Sequence, residues 1–260
     1  MNPIKEVYFF GNNYRVAQII DRLYPVKRIY CEKRSFNLGI YNFASLYSIE
    51  FNLVEAAEDL ELALPKEVNN SLGVSYGFGI IFKKKHIAAF KYGIWNIHPG
   101  ELPGNRGRHP ISWSFLNGCK KFAISIHEIN ENIDRGYLLS KGYIDRDLND
   151  TQLQIEEKME KLLESKLIQE AIDNYFSGKK YELDKGIYYK SLANTFSSIV
   201  PEDYESAFLF NLFKSQAKYG GVCVKGKRYI DCVFYNENCP KLYNDYDIFI
   251  CKDGKKVGLK

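Results

Sequence analysis

The stretch Trp95–Pro110, WNIHPGELPGNRGRHP, is the clearest indication of the fold class of this 260-residue chain. It begins with the bulky apolar residues of a buried strand, and Pro99 ends that strand directly after His98. A loop rich in Gly and Pro follows, and Pro110 suits the first turn of a helix. A strand that ends in a loop and leads into a helix is the unit from which α/β folds are built.

The same unit recurs on both sides of this stretch. Apolar runs predict strands over 6–10, 26–31, 51–54, 72–76, 93–98, 122–126 and 137–144. Helical spacing of apolar residues predicts helices between several of them, and a long amphipathic helix from Asp150-Thr151 to about Ser177. This alternation predicts an α/β fold: a Rossmann-like, mostly parallel sheet with helices on both faces.

The last sixty residues have a different pattern. A short helix is predicted over 201–213, and two β-hairpins are predicted over 221–235 and 246–259. Their turns are expected at Lys225-Gly226-Lys227 and at Asp253-Gly254. We therefore predict a catalytic domain at 1–178, a linker at 179–200 and a small β-rich C-terminal subdomain at 201–260.

Composition excludes several classes of protein. The formal net charge of +4 is small and dispersed, which argues against nucleic acid as a partner. No apolar run is long enough to span a membrane and no signal peptide is evident, so we expect a cytoplasmic protein without a membrane partner. The six Cys residues form no CxxC pair and have no His at ligand spacing, so we expect no metal.

Asn96 and His98 are the candidate chemical groups. Side chains alternate along a strand, so these two should face the same side, at the carboxyl end where α/β sheets bind ligands. An amide can hold a developing oxyanion, and an imidazole can take a proton from a nucleophile. A lone His more often ties down a loop, but an Asn–His pair beside a Pro-Gly loop favours acyl transfer. No nucleophile elbow is present, so the nucleophile would belong to a substrate.

A compound motif extends this pair. Asn96-Ile97-His98-Pro99 is followed by Leu102-Pro103, Asn105-Arg106-Gly107, Trp113, Asn117-Gly118, Ser125-Ile126-His127, Asp134-Arg135-Gly136 and Asp150-Thr151. In order and spacing this pattern resembles the 10-formyltetrahydrofolate-dependent formyltransferases over roughly residues 72–152. The resemblance implies that Asn96, His98 and Asp134 are the catalytic residues. His98 would be the base, Asn96 would hold the oxyanion, and Asp134 would orient or polarise His98 through a water molecule and raise its pKa.

The resemblance also implies where the co-substrate, 10-formyltetrahydrofolate, would bind. Backbone groups of Phe78, Gly79, Ile80 and Ile81 would meet the pterin, and a loop beginning with Ile129 and Asn130 would close over it. Small and apolar residues in the first segment suit a flat heterocycle. No metal is implied.

The loop sequence most resembles the nucleotide-sugar branch of this family. That branch implies formyl transfer to the amine of a nucleotide-linked aminosugar, such as a dTDP-4-amino-4,6-dideoxyhexose, for surface polysaccharide (lipopolysaccharide O-antigen) synthesis. Candidate substrate contacts are Arg106, Asn12, Asn13 and Tyr76, and the C-terminal subdomain implies a homodimer. Two alternatives stay open: a methionyl-tRNA formyltransferase-like enzyme, and a non-catalytic protein that binds folate or a nucleotide sugar.

Overall fold

In a computed structural model, whose described residues are 3–65, 69–192 and 195–260, nine strands precede residue 190. They are β1 (Glu6–Gly11), β2 (Val26–Glu32), β3 (Glu50–Val54), β4 (Ser71–Tyr76), β5 (Ile94–His98), β6 (Arg106–Gly107), β7 (Lys121–Glu128), β8 (Leu138–Asp145) and β9 (Tyr188–Tyr189). Seven of them form one sheet in the order β3-β2-β1-β4-β5-β7-β8, and the short β6 and β9 pair separately.

The sheet is parallel over its first five strands. β1 pairs in parallel with β2 and β4, β2 with β3, and β4 with β5, whereas β7 runs antiparallel to β5. All six residues of β4 and five of the six in β1 are buried, as expected for parallel strands that are covered on both faces. The predicted α/β class with a mostly parallel sheet is therefore confirmed.

The described parts of the chain contain eight α-helices. They are α1 (Tyr14–Leu23), α2 (Leu38–Leu46), α3 (Ala57–Ala63), α4 (Lys84–Ala88), α5 (Pro110–Leu116), α6 (Gln152–Leu162), α7 (Ile168–Phe176) and α8 (Ser206–Gln216). None of the helices in the described parts of the chain is both long and apolar enough to cross a membrane.

The predicted long helix is interrupted. A π-helical turn over Leu163–Leu167 separates α6 from α7. Such turns insert one extra residue into a helix. Leu163 and Leu167 stay buried, and the hydroxyl of Ser140 in β8 donates to the carbonyl of Leu167 over 3.0 Å.

The chain divides into two compact units that do not follow the predicted boundaries along the sequence. The first comprises Met1–Arg106, Ala123–Gly142 and Glu160–Ile187, and the second comprises Gly107–Phe122, Tyr143–Met159 and Tyr188–Lys260. The division into 1–178, 179–200 and 201–260 stays a prediction about functional domains.

The second unit contains five further strands: β10 (Val222–Val224), β11 (Lys227–Tyr229), β12 (Cys232–Phe234), β13 (Asp247–Ile250) and β14 (Lys256–Leu259). β10 and β11 form the first predicted hairpin, and β13 and β14 form the second. The first hairpin was predicted to extend to residue 235, which is wrong. β12 pairs with β14 instead, so three strands form a sheet in the order β12-β14-β13.

Candidate active site

Two neighbouring strands bring the candidate residues together. β5 ends at His98, and its antiparallel partner β7 places His127 opposite Asn96 and Ser125 opposite His98. The hydroxyl of Ser125 donates to the carbonyl of Gly100 over 2.8 Å. Strand pairing therefore fixes both the Asn–His pair and the Pro-Gly loop that follows it.

Asp134 lies at the centre of the cluster. Its Oδ1 is 3.5 Å from Asn96 Nδ2, 3.8 Å from His98 Nδ1 and 3.5 Å from His127 Nε2. Asn96 and His98 thus reach the same carboxylate, which confirms that they share one face of the strand. The separation from His98 is longer than a direct hydrogen bond. Asp134 has a φ of +51°, an unfavourable backbone conformation for a non-glycine residue that clusters at functional sites.

Hydrogen bonding identifies the basic nitrogen of His98. Its Nε2 lies 2.7 Å from the carbonyl oxygen of Asn105. A carbonyl only accepts, so Nε2 carries the proton and donates, and a neutral ring then leaves Nδ1 unprotonated. Nδ1 is the atom that faces Asp134. The structure therefore assigns Nδ1 as the position at which His98 takes up a proton.

Burial dominates the pKa of His98. Removal of the ring from water lowers this pKa, and the charge of Asp134 together with the Asn105 carbonyl offsets only part of the effect; nearby His127 lowers it further. The expectation that the carboxylate raises the pKa above its ordinary value is wrong in net direction, because desolvation penalises the charged ring more than one carboxylate favours it. His98 is consequently a neutral base at neutral pH.

His127 is a site residue that sequence reasoning placed in the motif but not among the catalytic candidates. Its Nδ1 donates to the carbonyl of Glu128 over 2.8 Å, and its Nε2 lies 3.3 Å from the amide nitrogen of Asn96. The Asn96 amide hydrogens thus point at His127 and Asp134, and one of them must turn to a substrate oxygen to hold an oxyanion. The sequence did carry a signal for His127, because the Ser-x-His spacing of β7 repeats the Asn-x-His spacing of β5.

Arg106 holds the loop that carries Asp134. Its Nε and Nη2 donate to the carbonyl of Ile133 over 3.2 and 2.7 Å. Arg106 is itself buried, and its backbone nitrogen donates to the carbonyl of Ile187. The structure gives it a positioning role beside the triad, and its predicted substrate contact stays a prediction.

The predicted folate segment follows β4. Gly77 has a φ of +65° and turns the chain, and residues 77–81 belong to no helix or strand. The ring of Phe78 stacks on that of Phe82 at 5.5 Å, and Ile80 is half-buried while Ile81 is exposed. This irregular backbone suits a flat heterocycle that binds main-chain groups, and the folate contacts of these residues stay predictions.

The second predicted folate segment begins where β7 ends. The backbone nitrogen of Ile129 donates to the carbonyl of Ile94 over 2.7 Å. The amide of Asn130 donates to the carbonyl of Arg135 over 3.2 Å, which closes the loop that contains Asp134. Their proposed contacts with folate are not tested by this geometry.

The remaining substrate candidates line the end of β1. Asn12 donates to the carbonyl of Ser35 over 2.9 Å, and Asn13 caps α1 by accepting from the backbone nitrogen of Val16 over 3.0 Å. Tyr76 is buried and pairs with Gly11 across the sheet. Both Asn side chains thus have structural roles, and their substrate contacts stay predictions. Within the described residues, no cluster of His, Cys, Asp or Glu is arranged to hold a metal ion.

Curated relatives of this chain are formyltransferases. It is 29% identical over 208 residues to the methionyl-tRNA formyltransferase of Finegoldia magna, which covers 75% of this chain and 64% of that protein. The methionyl-tRNA formyltransferase of Bacillus subtilis is 32% identical over 139 residues, or 52% of this chain and 43% of that protein. The chain thus spans less than two thirds of the length of these relatives.

Solved structures resemble the whole chain in fold. An N-formyltransferase from Helicobacter canadensis, in complex with folinic acid and dTDP-3-aminofucose, has a TM-score of 0.73 at 16% identity and covers 99% of both chains. WlaRD, a sugar 3N-formyl transferase solved with dTDP and 5-N-formyl-THF, has a TM-score of 0.71 at 17% identity, over 100% of this chain and 98% of that one. A 4-N formyltransferase from Francisella tularensis has a TM-score of 0.64 at 18% identity, over 99% and 97%.

The family model described as formyl transferase matches residues 45–172, which include β5, β7 and the Asn96, His98 and Asp134 cluster. Over these residues the chain is similar to the formyl transferase family.

Proposed function

We propose that this protein is an N-formyltransferase that moves a formyl group from 10-formyltetrahydrofolate to the amine of a nucleotide-linked aminodeoxy sugar. The observation that carries the proposal is the convergence of Asn96 and His98 on the Asp134 carboxylate at the end of β5. This set holds a base and an amide donor. An amine that attacks a formyl carbon requires both.

Each residue then has a defined task. When bound, 10-formyltetrahydrofolate supplies the formyl group, and the segments at Phe78–Ile81 and Ile129–Asn130 would hold it. Nδ1 of His98 takes the proton that the amine loses as the new C–N bond forms, and Asp134 stabilises the resulting imidazolium. An amide hydrogen of Asn96 donates to the formyl oxygen as negative charge develops there. The protonated His98 is then positioned to return the proton to the folate nitrogen that leaves as its bond to the formyl carbon breaks.

The sugar acceptor is the finer part of the proposal. Solved structures that match this chain over 97–99% of their own length include enzymes named for 3-N and 4-N formylation of sugars, and one holds dTDP-3-aminofucose. We propose a dTDP-linked amino-dideoxyhexose, with a 4-amino-4,6-dideoxy sugar as the first candidate. The proposed sugar and phosphate contacts are Arg106, Asn12, Asn13 and Tyr76. We also propose that the enzyme is a cytoplasmic homodimer that acts in surface polysaccharide synthesis.

Mass spectrometry of reaction products tests this proposal. The full-length protein is incubated with 10-formyltetrahydrofolate and a panel of dTDP- and UDP-linked 3-amino and 4-amino sugars. We expect a mass gain of one formyl group in one sugar and no gain in the His98→Ala variant. Absence of turnover across the panel would favour a non-catalytic binding protein.

A second candidate is formylation of methionyl-tRNA, because the curated sequence relatives have that name. A tRNA-binding surface needs an excess of positive charge, and residues 201–260 hold ten Lys and Arg against eight Asp and Glu. We therefore rank it second. Formylation of charged initiator tRNA at a rate above that of every sugar would reverse this order.

A further inference from the structure

Glu32 is a buried carboxylate outside the catalytic cluster. It is the last residue of β2, at the same end of the sheet as His98, and it is 4% exposed. A carboxylate is removed from water at a large cost in free energy unless charged or hydrogen-bonding partners compensate. Its partners therefore indicate what the side chain does.

The two oxygens of Glu32 have different partners. Oε2 forms an ion pair with Arg34 over 2.6 Å, and Arg34 is 62% exposed. Oε1 accepts a hydrogen bond from the backbone nitrogen of Gly79, forty-seven residues away in sequence. The ion pair with an exposed Arg does not require burial of the carboxylate. The bond to Gly79 instead reaches the segment after β4, a strand that lies two positions from β2 in the sheet, so this buried oxygen is directed at the backbone of that segment.

The Gly79 segment, residues 77–81, lies in no helix or strand. A regular hydrogen-bond ladder therefore does not hold its backbone. The Phe78 ring is anchored on Phe82 at 5.5 Å, which fixes a side chain but not the peptide at Gly79. A charge-assisted hydrogen bond to that peptide is stronger and more directional than a neutral one.

We propose that Glu32 is a positioning residue for folate: its carboxylate holds the Gly79 peptide so that the neighbouring main-chain groups face the pterin. This inference rests on the function proposed above. Glu32 does not touch the reacting atoms, so it affects folate affinity and leaves proton transfer at His98 unchanged.

Two substitutions and one control test the inference in the full-length protein. Glu32→Ala removes the acceptor, and Glu32→Gln keeps an acceptor oxygen but loses the charge. Glu55→Gln is the matched control, because it neutralises an exposed carboxylate just beyond β3 that pairs with the exposed Lys33. The readouts are the Kd for 5-formyltetrahydrofolate by titration, and KM for each substrate together with kcat.

We expect Glu32→Ala to raise the folate Kd and KM about 10-fold or more, and Glu32→Gln about 3-fold, because hydrogen bonds to charged groups contribute more than neutral ones. kcat and the KM for the aminosugar stay within about twofold of wild type, as do all values for Glu55→Gln. If Glu32→Ala fails to fold, the folate Kd of Glu32→Gln alone tests the inference.

An unchanged folate Kd in Glu32→Gln and in any folded Glu32→Ala overturns the inference, as does a loss confined to kcat. Failure of the proposed function has a different signature: the wild-type protein then transfers a formyl group to no sugar of the panel, whereas the Kd for 5-formyltetrahydrofolate still separates Glu32→Ala from wild type.

Discussion

The reactivity of His98 is set by a competition between burial and charge. Burial lowers its pKa, and the Asp134 carboxylate at 3.8 Å raises it without restoring the ordinary value. In the proposed reaction an attacking amine needs a neutral base, which the burial of His98 would provide. The imidazolium that forms would need a counter-charge, which Asp134 would provide. One residue pair would thereby serve both the ground state and the transition state.

Loss of either Asn96 or His98 should abolish most turnover. We expect His98→Ala to lower kcat/KM by about 100- to 10,000-fold, the usual contribution of a general base. We expect Asn96→Ala to lower it by about 100- to 1,000-fold, the contribution of one oxyanion donor. Steady-state kinetics measures both, and calorimetric binding of the nucleotide sugar is the control that should change little. Near-normal turnover in both folded variants would refute the triad.

The titration of His98 tests the pKa argument directly. We expect its NMR titration midpoint below the ordinary value of about 6.5, because burial is the largest influence. Asp134→Asn should move the midpoint lower still, since it removes the charge that favours the protonated ring, and should sharply reduce kcat. The four His signals are assigned by comparison with His98→Gln. A midpoint above 6.5, or one that rises in Asp134→Asn, would contradict this account.

At the scale of elements, a polar side chain in the loop after β1 fixes the start of the next helix. Asn13 accepts from the Val16 nitrogen at the start of α1 and donates to Glu160 of α6 over 3.2 Å. This position was predicted as a substrate contact from its place after β1. A helix cap and a substrate contact are compatible, and they are separable by mutation.

Asn13→Ala should lower the free energy of unfolding by about 1 kcal/mol, because it removes the cap of α1. Asn13→Ser should restore most of that loss, since Ser is also a favoured cap. Urea denaturation measures the two effects. If Asn13 also contacts the nucleotide sugar as proposed, the KM for that substrate stays raised in Asn13→Ser although stability has recovered. Equal stability of Asn13→Ala and wild type would show that the cap contributes nothing.

Hydrophobic patterning predicted most of the helices and strands, because each one buries apolar side chains at a spacing that can be read within its own sequence. All seven strands of the central sheet lie within a few residues of their predicted positions. The turn at Lys225-Gly226 was also predictable, since the left-handed φ values of 48° and 85° found there are those that a tight hairpin requires. The pairing of β12 with β14 was not predictable, because a short strand carries no sequence signal for its partner.

At the scale of the whole molecule, the proximity of the candidate residues was predicted better than their electrostatics. The motif grouped Asn96, His98 and Asp134, and the structure brings Asn96 and His98 to one carboxylate oxygen of Asp134. The net lowering of the His98 pKa could not be predicted, because it depends on how completely the ring is buried. The attachment of Arg106 to the Ile133 carbonyl is likewise a long-range contact without a local pattern.

The C-terminal strands give the last prediction, that the protein is a homodimer. Of the apolar side chains in these strands, Val222, Val224, Tyr229 and Val257 are buried in a core with α8.

The edge strand β13 stays exposed, with Ile248 and Ile250 40% and 55% exposed, and Phe234 in the opposite edge strand β12 is 41% exposed. An exposed apolar edge strand favours pairing with another chain, and a two-fold arrangement is the commonest outcome. Light scattering on the full chain at micromolar concentration should give a dimer, and the double variant Ile248→Lys, Ile250→Lys should give a monomer. Leu62→Lys is the control, because Leu62 is also highly exposed but belongs to α3 in the other compact unit. A monomeric wild type would refute the dimer, and a dimeric double variant would place the interface elsewhere.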